Sequence, residues 1–263
     1  MKDEETLHYP DSFINALQAI WGDGFLSPGG PEEIAAMLDG LDITGLSVLD
    51  IGCGVGGIDC LLVQEYGASQ VTAIDVEPQL IDHASRRFHQ HDLSHKITAH
   101  LVEPGPLPFA DNQFDSVFSK DAMLHIPEKH SLYKEVLRVL KPGGQLIASD
   151  WLRGGDESDA VPPILVEWGE QNGLKAEFAT PAQTEDALRR AGFQAAHVKD
   201  RNAWYREEIK KEELQVTGPG LQQLIAAIGM ENAEKRVRSY EIRQQAVNEG
   251  ALRPCHLYGM KSA

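Results

Sequence analysis

The 263-residue sequence predicts an α/β domain whose largely parallel sheet carries helices on both faces. Three observations support this. From residue 46 to about residue 151, short apolar runs alternate with longer amphipathic stretches, the pattern of strand, loop and helix repeated. The runs are continuous and apolar, as strands covered on both faces require. The first run, Ser47 to Ile51, leads directly into Gly52-Cys53-Gly54-Val55-Gly56-Gly57, a glycine-rich bend opening a helix.

The elements follow in order. Asp11 to Trp21 reads as a helix, capped by Asp11 or Ser12, with Phe13, Leu17 and Ile20 on one side. Turns at Gly22-Asp23-Gly24 and Ser27-Pro28-Gly29-Gly30 precede a second helix carrying Ile34, Met37 and Leu38. Strands are expected at 47–51, 70–76, 97–101, 114–119 and 145–151. Helices are expected at 56–66, 78–89 and 128–140, the last with Leu132, Val136 and Leu140 at helical spacing. Beyond them come a helix at 180–191 and a strand at 194–198. A charged, mostly helical stretch follows from Arg201 to about Gly250, broken near Gly218-Pro219-Gly220, and then a strand from His256 to Met260.

Composition narrows the function. Apolar residues make up 42% and charged residues 24%, ordinary for a globular chain. No stretch approaches the roughly 18–20 apolar residues that span a bilayer. Met1-Lys2-Asp3-Glu4-Glu5 is acidic and no apolar run follows it, so a cytoplasmic protein without membrane insertion is expected. A net charge of −16 opposes a nucleic-acid partner and favours a small-molecule substrate. The basic cluster Lys235-Arg236-Val237-Arg238 is short, mixed with Glu, and reads as a solvated helix face. Cys53, Cys60 and Cys255 have neither disulfide nor metal spacing, and His89, His91 and His95 read as exposed. No metal is expected.

The bend is where the chemistry starts. Glycines at 52, 54, 56 and 57 let the backbone turn sharply and approach a ligand. The spacing fits a dinucleotide site as well as a nucleoside–sulfonium site. Asp50 separates them, because a carboxylate there attracts an ammonium and repels a pyrophosphate. Asp75, at the end of the second strand, stands where ribose hydroxyls are held in either case. Glu103, Leu107-Pro108-Phe109, Phe114-Asp115 and Leu140-Lys141-Pro142-Gly143-Gly144 continue the series.

Taken together, Val48 to Asp150 resembles a class I S-adenosylmethionine-dependent methyltransferase. The resemblance implies a Rossmann-like seven-stranded methyltransferase sheet whose last strand, here His256 to Met260, runs in reverse. It implies that Asp50, Gly52 and Gly54 surround the methionine part of the cofactor S-adenosyl-L-methionine, that Asp75 and Val76 hold the ribose side, and that Glu103 faces the adenine. Pro104 has no N–H to offer the adenine ring. A closer resemblance rests on Tyr9, on Phe25-Leu26-Ser27-Pro28-Gly29-Gly30 and on Ser119-Lys120-Asp121-Ala122-Met123-Leu124-His125-Ile126. These are similar to the phosphoethanolamine N-methyltransferases and their relatives acting on sarcosine and dimethylglycine. That resemblance implies a catalytic set of His125, Tyr9 and Asp121, with Ser27 and Lys120 beside the cofactor.

The residues make their own case. A protonated amine has no lone pair, so an acceptor nitrogen needs a base that works near neutral pH, and His125 is of that type. Tyr9 could hydrogen-bond it and shut out water, and Asp121 could attract the amine. The phosphate-binding Arg-x-Tyr of the phosphobase enzymes is missing from Gly173-Leu174-Lys175-Ala176-Glu177. Trp151 offers a cation–π face instead. Arg153, Arg201, Trp204, Tyr205 and Arg243 are candidate residues of a helical lid, with Arg201 able to hold a carboxylate. The expected organisation is an N-terminal helical segment, 1–44, closing the site, and a catalytic domain, 45–263, with a helical insertion at about 200–253. It is expected to act as a monomer or simple homodimer. The reaction expected is N-methylation of a small amine or amino-acid-like metabolite. The alternatives are methyl transfer to O, S or C, an NAD-linked oxidoreductase, and cofactor binding without catalysis.

Overall fold

The computed structural model describes residues 9–126, 128–172 and 178–263. The chain begins with α1 (Asp11–Trp21) and α2 (Gly30–Met37), then enters β1 (Ser47–Ile51), α3 (Gly57–Gln64), β2 (Gln70–Asp75), α4 (Pro78–Gln90) and β3 (Ile97–Leu101). It continues through β4 (Phe114–Lys120), α5 (Lys129–Val139), β5 (Leu140–Arg153), α6 (Pro163–Gln171), α7 (Pro181–Ala191) and β6 (Gln194–Asp200). Three helices follow, α8 (Asn202–Val216), α9 (Gly218–Ile228) and α10 (Met230–Asn248), and then β7 (Leu252–Met260). The strands form one seven-stranded sheet in the order β3-β2-β1-β4-β5-β7-β6. β7 runs antiparallel to both β5 and β6, and the other six strands are parallel to one another. The Rossmann-like seven-stranded methyltransferase sheet is therefore present.

Each strand is where its composition puts it. Val48, Leu49, Val71, Ala73 and Ile74 are at most 2% exposed, so β1 and β2 are covered on both faces. One face packs Ile34, Leu62, Ala84 and Phe88 from α2, α3 and α4 against Val48 and Phe118. The other packs Tyr133, Val136 and Leu188 from α5 and α7 against Leu49, Val117 and Leu146. A third core joins α1, α6, α8, α9 and α10, with Ala16, Trp168, Tyr205, Leu224 and Tyr240 gathered with Trp151 of β5. Strand order reverses between β1 and β4, which opens a crevice at their carboxyl ends, the usual ligand position in open α/β sheets.

Several boundaries differ from expectation for tertiary reasons. β5 and β7 are longer than 145–151 and 256–260, because β5 pairs with β4 from Leu140 onward and with β7 through to Arg153–Leu252. The cross-strand ladder carries residues whose own composition is not strand-like. Helix α6 has no counterpart among the expected elements. Its nine residues start at a Pro-Pro step and bury Leu165 and Trp168. The stretch expected to break near Gly218 breaks twice, the second time at Gly229, whose φ of +80° suits glycine. Helix α7 is as expected, and a capping box explains it. Thr180 Oγ1 accepts from Gln183 N at 3.1 Å, and Gln183 Oε1 accepts from Thr180 N at 2.9 Å. Gly173 to Glu177, expected to lack a phosphate-binding motif, and residues 1–8 lie outside the described residues. Among the described residues no helix is long and apolar enough to cross a membrane.

Candidate active site

The glycine bend after β1 is held from three sides. Gly52 N and Cys53 N donate to Ile74 O at 2.9 and 3.0 Å. Gly54 N and Glu77 N donate to the two carboxylate oxygens of Asp75 at 3.0 and 3.1 Å. Asp75 thus knots the carboxyl ends of β1 and β2 together. Gly52 has φ +80°, and a Cβ there would stand 2.2 Å from the Cβ of Ala122, so only glycine lets the turn after β4 close against the bend. The N-terminal segment seals the far side. Arg87 of α4 donates to Val55 O at 3.0 Å and to the Asp23 carboxylate at 2.7 and 2.9 Å.

Asp50 lies at the heart of this cradle, 1% exposed, and neither of its carboxylate oxygens meets an N–H or hydroxyl donor. Burial, followed by the neighbouring charge of Asp59, pushes its carboxyl well above the usual range. A buried carboxyl without a donor favours its neutral form until a cation or donor reaches it. Asp59, in the first turn of α3, is 0% exposed and equally without a donor. Sequence reasoning misses it. The available signal is an Asp set among Ile58, Cys60, Leu61 and Leu62. Beyond Asp75, Val76 presents an apolar side chain that is 48% exposed, and Glu103 and Pro104 stand exposed after β3.

The end of β4 supplies the second half of the site. Lys120 Nζ donates to Ser27 Oγ at 2.8 Å, Pro28 O at 2.9 Å and Asp121 Oδ2 at 2.5 Å. All three of its donors are taken by the protein. The role expected at the cofactor gives way to a clamp between the N-terminal turn and β4. Asp121 has φ +54°, outside the usual range for a non-glycine residue. Ser149 steadies it, donating to Asp121 Oδ1 at 2.7 Å and accepting from Asp121 N at 3.1 Å. Burial alone would raise the Asp121 carboxyl, but Lys120 and the hydrogen bonds from Lys120, Ser149 and Ser27 outweigh it and hold the group ionised.

His125 ends the short 3₁₀ turn Met123–His125 after β4 and is exposed. Lys129 secures that turn by donating to Met123 O and, at 2.8 Å, to Asp150 Oδ2. Tyr9 packs on Phe13, with ring centroids 5.4 Å apart, in an apolar cluster with Ile14, Val55 and Leu80. Burial, then the charges of Asp75 and Glu77, push its phenol up to about 12. Tyr9 is therefore a neutral hydrogen-bond donor at physiological pH and not a base.

The substrate-side residues need correction. Arg201, expected to hold a substrate carboxylate, is bidentate to Glu33 of α2 at 2.6 and 3.1 Å. His256 of β7 also contacts Glu33 Oε1, at 2.6 Å. Trp151, expected to offer a cation–π face, is 7% exposed and packed against Tyr205 (4.9 Å, edge-on) and Trp168 (6.0 Å). Arg153 donates to the backbone carbonyls of Phe178, Gly154, Asp156 and Glu157 and organises a loop. Trp204 lies under the Arg201 guanidinium, and Tyr205 OH donates to Glu212. These side chains are matched within the protein because each meets its partner across the fold.

Arg236 departs from the basic cluster around it. Its neighbours Lys235 and Arg238 pair with Glu231 and Glu167 on the outer side of α10, as a solvated face should. Arg236 instead turns inward over the Phe13 ring at 4.8 Å and has no carboxylate partner among the described residues. Burial, then the like charge of Arg243, work against its own charge, and Tyr9 lies near it. Arg243, seven residues on, pairs with Glu212 and leaves its Nε without an acceptor. Arg243 also lies over the Trp21 ring, 5.5 Å from its centroid.

Comparison with known proteins agrees with this geometry. Residues 49–148 match the methyltransferase domain family. Over 253 residues the chain is 26% identical to a phosphoethanolamine N-methyltransferase of Triticum aestivum, covering 95% of this chain and 48% of that one. It superimposes on phosphoethanolamine N-methyltransferase 2 of Haemonchus contortus, solved with phosphomonomethylethanolamine and S-adenosylhomocysteine. There the TM-score is 0.88 at 24% identity, over 98% of this chain and 59% of that one. The [4+2]-cyclase SpnF shares the fold with a TM-score of 0.68 at 24% identity, over 88% and 80% of the two chains. The fold alone therefore does not name the reaction. The chain spans about half the length of the curated relatives it matches.

Proposed function

We propose that this chain, whose residues 49–148 match the methyltransferase domain family, transfers a methyl group from S-adenosylmethionine to the nitrogen of a small amine or amino-acid-like metabolite. The observation that supports this most strongly is Asp50, a buried carboxylate without a donor beside a glycine bend that Asp75 ties to the next strand. That set suits the ammonium and ribose of the donor and would repel a pyrophosphate. When bound, the donor supplies an electrophilic methyl group on a sulfonium. Val76 offers an apolar side to the adenine, and Glu103 and Pro104 border its edge. Asp121, kept ionised by Lys120 and Ser149, draws a cationic acceptor toward β4. His125 takes the proton that frees the acceptor's lone pair. Tyr9, as a neutral phenol, donates a hydrogen bond and excludes water. We read the helical layer of α1 and α8 to α10 as the cover of the site, a reading supported by the core these helices share with Trp151 of β5.

Calorimetry with S-adenosylhomocysteine and with NAD tests the donor assignment. Micromolar binding of the first and none of the second is expected, and the reverse would overturn it. Methyl transfer to labelled oxygen or thiol acceptors in preference to amines would overturn N-methylation.

Arg236 and Arg243 support an acceptor that also carries an anionic group. Arg236→Ala should raise the acceptor's KM by roughly 10–100-fold, the value of one charge-assisted contact, with kcat changed far less. An unchanged KM in steady-state assays would remove Arg236 from the site.

A further inference from the structure

The Asp50–Asp59 pair does something that a single ammonium-binding carboxylate would not. The two groups come from different elements, β1 and the first turn of α3, and are 1% and 0% exposed. None of their four oxygens meets a donor from the described residues. Two ionised carboxylates cannot share such a site, because each is only an acceptor and their charges repel in a medium that water does not screen. A proton held between them resolves both problems. Among the described residues, the groups next to the pair add no positive charge. Asp75 spends its oxygens on Gly54 N and Glu77 N. The Cys53 thiol is pushed well up by burial and then by the surrounding carboxylates. Arg87 lies beyond Cys60, its guanidinium committed to Asp23, Gln18 and Val55 O.

We propose that Asp50 and Asp59 form a two-carboxylate receptor that holds one proton in the free protein and releases it to solvent when the donor's ammonium enters. This rests on the donor site proposed above. The balance is simple. The carboxyl O–H bond breaks, its electron pair stays on oxygen, and the proton passes to the buffer. N–H donors of the entering ammonium then bond the two carboxylates, so one positive charge replaces another. The direction of the Asp59 shift agrees with this. Burial first, opposed by hydrogen bonding and reinforced by the Asp75 charge, pushes that carboxyl up to about 7.

The test is calorimetric and needs no turnover. The full chain is titrated with S-adenosylhomocysteine at about pH 7 in phosphate and in Tris, whose ionisation enthalpies differ widely. The difference in heat reports protons exchanged. Release of about one proton per ligand is expected. 5′-Methylthioadenosine, which keeps the nucleoside but lacks the ammonium, should release none. In Asp59→Asn, checked for folding by circular dichroism, the introduced amide would donate to an ionised Asp50. Proton release should then vanish and affinity fall roughly tenfold. Binding of S-adenosylhomocysteine to the unaltered protein without proton release overturns the inference while leaving the donor site standing. So does proton release that persists in Asp59→Asn. Absence of any S-adenosylhomocysteine binding overturns the donor site and this inference together.

Discussion

His125→Ala is expected to lower kcat by roughly 10²–10⁴-fold, the range for losing a positioned general base, while S-adenosylhomocysteine affinity stays within about twofold. The split follows from placement. His125 sits on the turn after β4, whereas the donor carboxylates sit at the ends of β1 and β2 and in the first turn of α3. On the proposed reading the imidazole acts on the acceptor and leaves the donor's contacts alone. Steady-state rates with labelled donor, paired with calorimetry, check both parts. Full turnover by His125→Ala would remove it from the chemistry. Tyr9→Phe should have a milder effect, since a phenol raised to about 12 contributes a hydrogen bond and not a base.

The largest stability effect is expected at Glu33. This 4%-exposed carboxylate joins three distant parts of the chain: α2, Arg201 before α8, and His256 of β7. Tyr258 extends the group through its contact with His256 Nδ1 at 3.2 Å. Glu33→Ala leaves the Arg201 guanidinium and the buried His256 without their acceptor. Breaking a buried pair by removing one partner costs about 3 kcal/mol or more, so Tm should fall by about 10 °C. The sign with pH can be worked out. Burial alone would raise the Glu33 carboxyl, but hydrogen bonds from His256 and Arg201 outweigh it, so its folded value lies below the ordinary 4.5. The carboxylate's contribution is then fully present above about pH 4.5 and is lost as pH falls through the lower folded value. Thermal melts of the two proteins should differ most near neutrality and converge in acid. A constant difference down to about pH 3 would contradict the ionic account.

Most of the fold was legible because its signals are local. Continuous apolar runs such as Val48-Leu49 and Val71 to Ile74 marked buried parallel strands. Gly52 to Gly57 marked the bend, and residues 180–191 read as a helix. The extra length of β5 and β7 was not legible, since pairing with β4 and between these two strands supplies it. Nor was α6, which is short and depends on burying Leu165 and Trp168 in a core made by other helices.

The donor side of the site followed the same division. Asp50 and Asp75 could be placed from sequence because each ends a strand beside the glycine bend. Asp59 could not, because a charged residue in the first turn of a helix is ordinarily solvated, and only the folded chain shows that water is excluded. Arg201 and Arg236 invert for the same reason. Arg201 is a free guanidinium until Glu33, 168 residues away in sequence, meets it. Arg236 belongs to a solvated cluster until Phe13 and Tyr9 turn it inward. The order of residues was enough to specify the sheet, the bend and the strand-end carboxylates, because backbone geometry and apolar periodicity act over a few residues. Which charges are matched, and which still face a ligand, emerged with the packed chain, because pairing and desolvation depend on groups brought together from distant segments.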